Sequence, residues 1–297
     1  MLTALDHVVI AVRDLEVATS RYGELLGLGP SWAGEHPDLG TRNTLYRLGN
    51  TYLELLSPIE SASGLGARWL EGHFDRHGEG LAALAFATDD VAAARPALEA
   101  SGVDTADPEP GQGVHAHSKG GAEGERIRRW TNLRLSPKAS RGVVVFLIEH
   151  RSPPEALPAA PFEAERGAAV AALDHVVIHS ADPEATRAFY GDALGLRLAL
   201  DREFPRFGTR LLFFRVAGIT VEVGARLDAE PEPDTPDRFG GLAYQVPDLS
   251  AAHARLETAG FDVSEVREGR KPGTRVCTVR AETCGVPTLL IEPGDGR

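Results

Sequence analysis

Apolar residues along this chain fall into short runs of strand length, alternating with stretches at helical spacing. Leu5 to Val12 is a β-branched run that predicts a strand. Asp14 stands as N-cap ahead of Leu15, Ala18, Tyr22 and Leu25, which share one face of a predicted helix that Gly27 stops. Thr44 to Leu48 and Thr51 to Leu56 predict two further strands, with Gly49-Asn50 as the hairpin turn. The whole pattern returns 168 positions later, without a gap from Leu5 to Glu54. Leu173-Asp174-His175-Val176-Val177-Ile178 repeats Leu5-Asp6-His7-Val8-Val9-Ile10, Gly208-Thr209-Arg210 repeats Gly40-Thr41-Arg42, and Glu222 repeats Glu54. In the second copy Asp182-Pro183 opens the helix, with Pro favoured at its first position.

A weaker pair of copies begins at Leu84-Ala85-Phe86 and Leu242-Ala243-Tyr244, which makes four modules in all. Module two carries an insertion relative to module four, around residues 104–141. Modules of about fifty residues are too small to fold alone, so they must pair to bury their sheet faces. Residues 151–170 contain four prolines and read as a linker. The predicted organisation is a domain over 1–150, a linker over 151–170 and a second domain over 171–297.

Charge and composition narrow the function. A net charge of -12 argues against nucleic acid, because phosphate binding needs clustered Lys and Arg. No apolar run approaches the roughly 20 residues of a membrane helix. No basic stretch followed by an apolar one opens the chain, and Cys277 and Cys284 are not a disulfide framework, so a cytoplasmic protein with reduced thiols is expected. No Gly-x-Ser-x-Gly and no phosphate-cradling Gly-rich loop with Lys occurs.

Four residues repeat with chemistry attached: His7 and Glu54 in module one, His175 and Glu222 in module three. A carboxylate inside an apolar strand is costly unless it is paired or bound to metal. Each His-Glu pair is therefore either a hydrogen-bonded couple or a pair of metal ligands. Strand alternation points His7 the same way as Leu5 and Val9. Modules one and three facing each other would join all four residues, whereas His36, His115, His117 or His150 could complete a site in the first half. His115 and His117 would lie about 6.6 Å apart if extended, and His179 about 13 Å from His175, too far to share its ion. A third arrangement is a hollow cup without metal. Arg42 and Arg210 suit a substrate carboxylate or phosphate, or else a solvated strand face. Arg126, Arg128 and Arg129 read as a solvated loop in the insertion, or as a clamp on an anionic or planar substrate. Trp130 beside them reads as core or as cup lining that binds substrate.

A β-α-β-β-β module beginning Leu-Asp-His-Val, with a Glu near the end of its last strand, resembles the vicinal oxygen chelate superfamily of glyoxalases, extradiol dioxygenases and bleomycin-resistance proteins. With His36-Pro37-Asp38-Leu39-Gly40-Thr41-Arg42-Asn43 and Tyr52-Leu53-Glu54-Leu55, the first half is similar to the glyoxalase-like branch. The resemblance implies an α+β fold of four βαβββ modules in two tandem domains with half-open β-barrels. It implies a metal-dependent isomerase, epimerase, lyase or dioxygenase acting on a small oxygen-rich substrate, or alternatively a non-catalytic protein that sequesters a small molecule. A homo-oligomer is compatible with it. His7, Glu54, His175 and Glu222 match the family's ligand positions for a divalent ion such as Zn, Ni, Mn or Fe, and Glu54 or Glu222 would serve as proton-shuttling base. The matching positions in module two are Ala83 and Phe146, and in module four Gly241 and Leu289, which cannot ligate through their side chains. The matched residues do not distinguish the two halves.

Overall fold

A computed structural model describes residues 2–60, 63–116 and 126–294. Module one comprises β1 (Leu2–Ala11), α1 (Leu15–Leu26), β2 (Trp32–His36), β3 (Thr41–Arg47) and β4 (Tyr52–Pro58). After α2 (Leu65–His77), module two comprises β5 (Gly80–Thr88), α3 (Val91–Ala100), β6 (Glu109–His115), β7 (Ile127–Arg134) and β8 (Val144–His150). Module three comprises β9 (Ala172–His179), α4 (Pro183–Arg187), β10 (Arg197–Phe204), β11 (Thr209–Val216) and β12 (Ile219–Arg226), with a π-helical turn over Ala188–Ala193 extending α4. Module four comprises β13 (Arg238–Gln245), α5 (Leu249–Thr258), β14 (Arg267–Glu268), β15 (Arg275–Val279) and β16 (Thr288–Glu292).

Local chemistry sets these bounds. Asp14 accepts from the Val17 amide at the start of α1, and Gly27 ends it in the left-handed region at φ 68°. Asp90, Asp182 and Asp248 cap α3, α4 and α5 in the same way. Buried Leu15, Ala18, Tyr22 and Leu25 are the helix face read from the sequence.

Module one pairs with module two, and three with four. β1 runs antiparallel to β5 and parallel to β4, and β9 runs antiparallel to β13 and parallel to β12. The halves then differ. In the first, β2 also meets β6, through Gly34 opposite His115 and Glu35 opposite Val114, and the sheet closes into a barrel in the order β1-β4-β3-β2-β6-β7-β8-β5. In the second, the order β10-β11-β12-β9-β13-β16-β15-β14 leaves the sheet open, with a two-residue β14 at one edge. Within the insertion over 104–141, the described residues supply β6 and β7, two staves of the barrel.

The strands β1 and β9 do not alternate simply. Leu5 pairs with Phe86 and His7 with Ala85, so Asp6 is an extra residue in the ladder, and Asp174 is the same between Leu173 and His175. This bulge re-aims the side chains on either side of it. Leu5 joins Val8 and Ile10 in the core under the helices, while His7 and Val9 face the barrel interior, which corrects the expectation that His7 shares a face with Leu5.

One buried apolar cluster runs through both halves, from Leu5 and Tyr22 to Tyr190 and Leu290. Tyr22 Oη donates to the Thr283 carbonyl at 3.0 Å, tying α1 to module four. Residues 151–170 lie along the first half, where Gly29 donates to the Pro161 carbonyl and Val170 to that of Leu26. Among the described residues no helix is long and apolar enough to cross a membrane.

Candidate active site

The barrel encloses a cavity of about 660 Å³. Alternate residues of its strands face inward: His7 and Val9 from β1, Thr41, Asn43 and Leu45 from β3, Tyr52, Glu54 and Leu56 from β4. From β7 come Arg128, Trp130, Asn132 and Arg134. Arg128 and Trp130 are therefore part of the cavity wall, which corrects the solvated reading for Arg128 and agrees with the cup-lining reading of Trp130, while Arg126 and Arg129 are exposed.

A hydrogen-bonded relay crosses the cavity floor. His7 Nδ1 donates to Asp6 Oδ1 at 2.7 Å, and its Nε2 faces Glu54 Oε2 at 3.4 Å. His150 Nε2 donates to the second Asp6 oxygen at 2.9 Å. Asn43 Nδ2 donates to Glu54 Oε1 at 2.6 Å and lies 3.4 Å from His36 Nε2. The amide nitrogen can only donate, so His36 accepts there and carries its proton on Nδ1, which donates to Thr41 Oγ1 at 3.0 Å. The His7 ring is stacked on Tyr52, with centroids 4.5 Å apart, and Phe146 meets it edge-on at 5.5 Å.

Charges follow from these contacts. Burial alone would depress the His7 imidazole, but its bonds to Asp6 and Glu54 outweigh burial and raise it to about 9. Burial would raise the Glu54 carboxyl, yet His7 and Asn43 hold it below the usual carboxylate range. Asp6 is likewise held low, against burial, by His150 and His7. Burial pushes His36 down, with Arg128 adding to the effect. At neutral pH the floor therefore carries a protonated His7 between two carboxylates, beside a neutral His36.

The second half keeps part of this. His175 Nδ1 donates to Asp174 Oδ1 at 2.8 Å, and Gln245 Nε2 donates to the other Asp174 oxygen at 2.7 Å. His175 Nε2 lies 3.8 Å from Glu222, on an open sheet. The position of Asn43 is taken there by Leu211, that of His36 by Phe204 and that of Tyr52 by Thr220.

The four repeated residues thus form two pairs in two sheets, not one set. Arg42 faces away from the cavity and is held by Glu16 at 2.6 and 3.1 Å, while Arg210 is held by Asp201 and Glu184. Trp130 lines the cavity. His36 reaches the relay from β2, His115 packs edge-on against Trp32 at 4.8 Å, and His117 lies outside the described residues. Asp6, Asn43, Thr41 and Tyr52 were not singled out from the sequence. Asn43 and Tyr52 carried a signal as breaks in the repeat, standing where the second copy has Leu211 and Thr220, whereas Asp6 and Thr41 are repeated as Asp174 and Thr209.

A β-α-β-β-β pair folded into a cup around an inward-facing His and Glu decides the family when joined to the sequence comparisons. The model of the family described as "Glyoxalase-like domain" matches residues 5–170, and that described as "Glyoxalase/Bleomycin resistance protein/Dioxygenase superfamily" matches residues 174–278. The chain belongs to this vicinal oxygen chelate superfamily. It is 34% identical over 147 residues to an ethylmalonyl-CoA/methylmalonyl-CoA epimerase of Cereibacter sphaeroides, a match covering 50% of this chain and 98% of that one. Its fold is similar to a mutant 4-hydroxymandelate synthase from Streptomyces coelicolor, with TM-score 0.69, 19% identity and coverage of 100% of this chain and 94% of that one. It is similar also to the Mn(II)-bound glyoxalase from Novosphingobium aromaticivorans, with TM-score 0.61, 17% identity and coverage of 98% and 82%. At these identities the last two likenesses are of fold.

One of these similar structures, the glyoxalase, holds Mn(II), and the cavity here offers two of the donors an ion needs. Nε2 of His7 and Oε2 of Glu54 are spaced as neighbouring ligands of one ion are, and Asp6 supports the imidazole from behind as outer carboxylates do. A catalytic centre takes about three protein ligands. Here Ala83 and Phe146 line the cavity at the module-two positions, and among the described residues no three His, Cys, Asp or Glu side chains are grouped to hold an ion. The set is half of a centre and does not fit an ion held by the protein alone.

Proposed function

We propose that the first half is a vicinal-oxygen-chelate enzyme of the isomerase or epimerase kind, moving a proton at a carbon next to a carbonyl of a small oxygen-rich substrate in the barrel. The observation that carries this reading is the Glu54 carboxylate facing a protonated His7 inside an aromatic-walled cavity. Glu54 is the base: it takes the proton, and the electron pair of the broken C–H bond moves onto the carbonyl oxygen. His7 supplies the positive donor that stabilises that oxygen. Glu54 then returns the proton to the neighbouring carbon, giving the isomer, or to the opposite face of the same carbon after the planar enolate turns, giving the epimer, and no electrons are gained or lost. The relationship to an epimerase named for ethylmalonyl-CoA and methylmalonyl-CoA supports proton transfer as the reaction type.

The test is exchange of substrate C–H for deuterium in heavy water, with methylmalonyl-CoA and small α-hydroxycarbonyl compounds as probes. Wild-type protein is expected to exchange and Glu54→Gln to lose at least about a hundredfold in rate, the typical share of a general base. Exchange that survives in Glu54→Gln removes the assignment.

The spacing of His7 and Glu54 supports a second reading, in which a Zn, Ni, Mn or Fe ion takes these two donors and completes its shell from substrate and solvent. Stoichiometric metal in purified protein that is lost in His7→Ala would favour it. The blank positions Ala83 and Phe146 favour a binding protein that sequesters its ligand unchanged. That reading expects tight binding without exchange.

A further inference from the structure

Arg128 is the charged group of the barrel that the proton-transfer reading leaves unused. Its side chain is only 7% exposed, yet it points into the cavity from β7. The guanidinium lies 5.7 Å from the Trp32 ring centre and 5.5 Å from that of Tyr52. Among the described residues no side chain or carbonyl accepts a hydrogen bond from it. The acids of the cavity floor are already engaged, Glu54 by Asn43 and His7, Asp6 by His7 and His150. The other inward arginine of β7, Arg134, is paired with Glu109 at 2.8 Å. Its donors open onto the cavity rather than onto a protein acceptor, so a ligand there can take them.

We propose that Arg128 binds the carboxylate of an organic acid whose planar or apolar body lies against the rings of Trp130, Tyr52 and Phe146. This rests on the reading of the barrel as a substrate site and names the substrate class. One unengaged guanidinium matches one carboxylate, bidentate and singly charged. A phosphate dianion would want a second cation, and Arg134 is taken by Glu109. Aromatic walls favour a flat or hydrocarbon body over a hydrated sugar. The buried, unpartnered Oδ1 of Asn132 on the same strand adds an acceptor that a substrate hydroxyl would meet.

Phenylacetate, its neutral isostere phenylacetamide and inorganic phosphate serve as probes, followed by calorimetry and by tryptophan fluorescence, since Trp32 and Trp130 both line the cavity. Wild-type protein is expected to bind phenylacetate about tenfold or more tightly than phenylacetamide, the range of a charge-assisted bidentate contact. Arg128→Met removes that preference and leaves phenylacetamide binding in place. Arg128→Lys, the safer variant for folding, keeps only part of it. Equal affinities in wild type, a preference undiminished in both variants, or tighter binding of phosphate than of phenylacetate overturns the proposal. Glu54→Gln separates the two readings: loss of deuterium exchange with the phenylacetate preference intact supports both. Discrimination without exchange in wild type leaves the anion site standing and removes the proton-transfer reading, and exchange without discrimination does the reverse.

Discussion

His7 carries its proton at neutral pH because a carboxylate faces each of its ring nitrogens. Its pKa rises from 6.5 to about 9, so the stability it contributes is complete below about pH 6.5 and is lost as pH climbs through about 9. A proton NMR titration of the His7 ring should show one inflection near the upper value. Asp6→Asn should bring that inflection down toward 6.5, and the proposed exchange activity should fall over the same alkaline window. Asn43 is the other decisive residue. It occupies one oxygen of Glu54, and its counterpart in the second copy is Leu211. Asn43→Leu should therefore raise the Glu54 carboxyl toward the ordinary range, a gain in basicity, but it also frees the carboxylate from its fixed aim, and the lost aim is expected to prevail and slow exchange by about tenfold. A rate unchanged in that variant would mean the Asn43 contact does not tune the base.

At the scale of elements, the bulge in β1 and the pair β6–β7 make the site. The bulge puts Asp6 and His7, neighbours in sequence, on one hydrogen-bonded path, which strict alternation would forbid. β6 and β7 bring Arg128, Trp130 and Asn132 into the wall. Trp130 packs against Gly111 of β6: a Cβ there would stand 2.3 Å from its Nε1. Gly111→Ala should push the indole off the wall, at a cost of about 1–3 kcal/mol in urea denaturation and with a shifted tryptophan emission. The close approach of the indole is the reason for this glycine.

Across the whole molecule the halves behave as one packed body. Their core is continuous, and Arg141 of the first half reaches Asp237 of the second at 3.3 Å. Asp237 is almost wholly buried, and burial pushes its carboxyl up despite bonds from Thr186 and the charge of Arg141. Arg141→Met would leave that carboxylate without its cation, so a loss of about 3 kcal/mol is expected on urea denaturation, with both halves still unfolding together. Two separated transitions in the wild-type protein would show that the shared core does not couple them.

Much of this was legible in the sequence because it is local and periodic. Strand runs, the Asp14 cap, the Gly27 stop and the module repeat follow from side-chain spacing and backbone preference, and they were enough to reach the superfamily. The inward placement of His7 was not legible there, because the bulge at Asp6 turns it off the face of Leu5 that strand period assigns to it. What the sequence could not decide is long-range. Barrel closure depends on β2 meeting β6 across some eighty positions of chain, an encounter no local pattern encodes. A longer separation, 144 positions, hides the link from Asp6 to His150, and the same long-range pairing hides the opening of Arg128 onto the cavity. The sequence by itself determined two copies of a His-Glu motif in a known architecture. Only tertiary structure decided that one copy sits in a closed, polar-floored barrel and the other on an open sheet, because closure is a matter of which distant edges find hydrogen-bond partners.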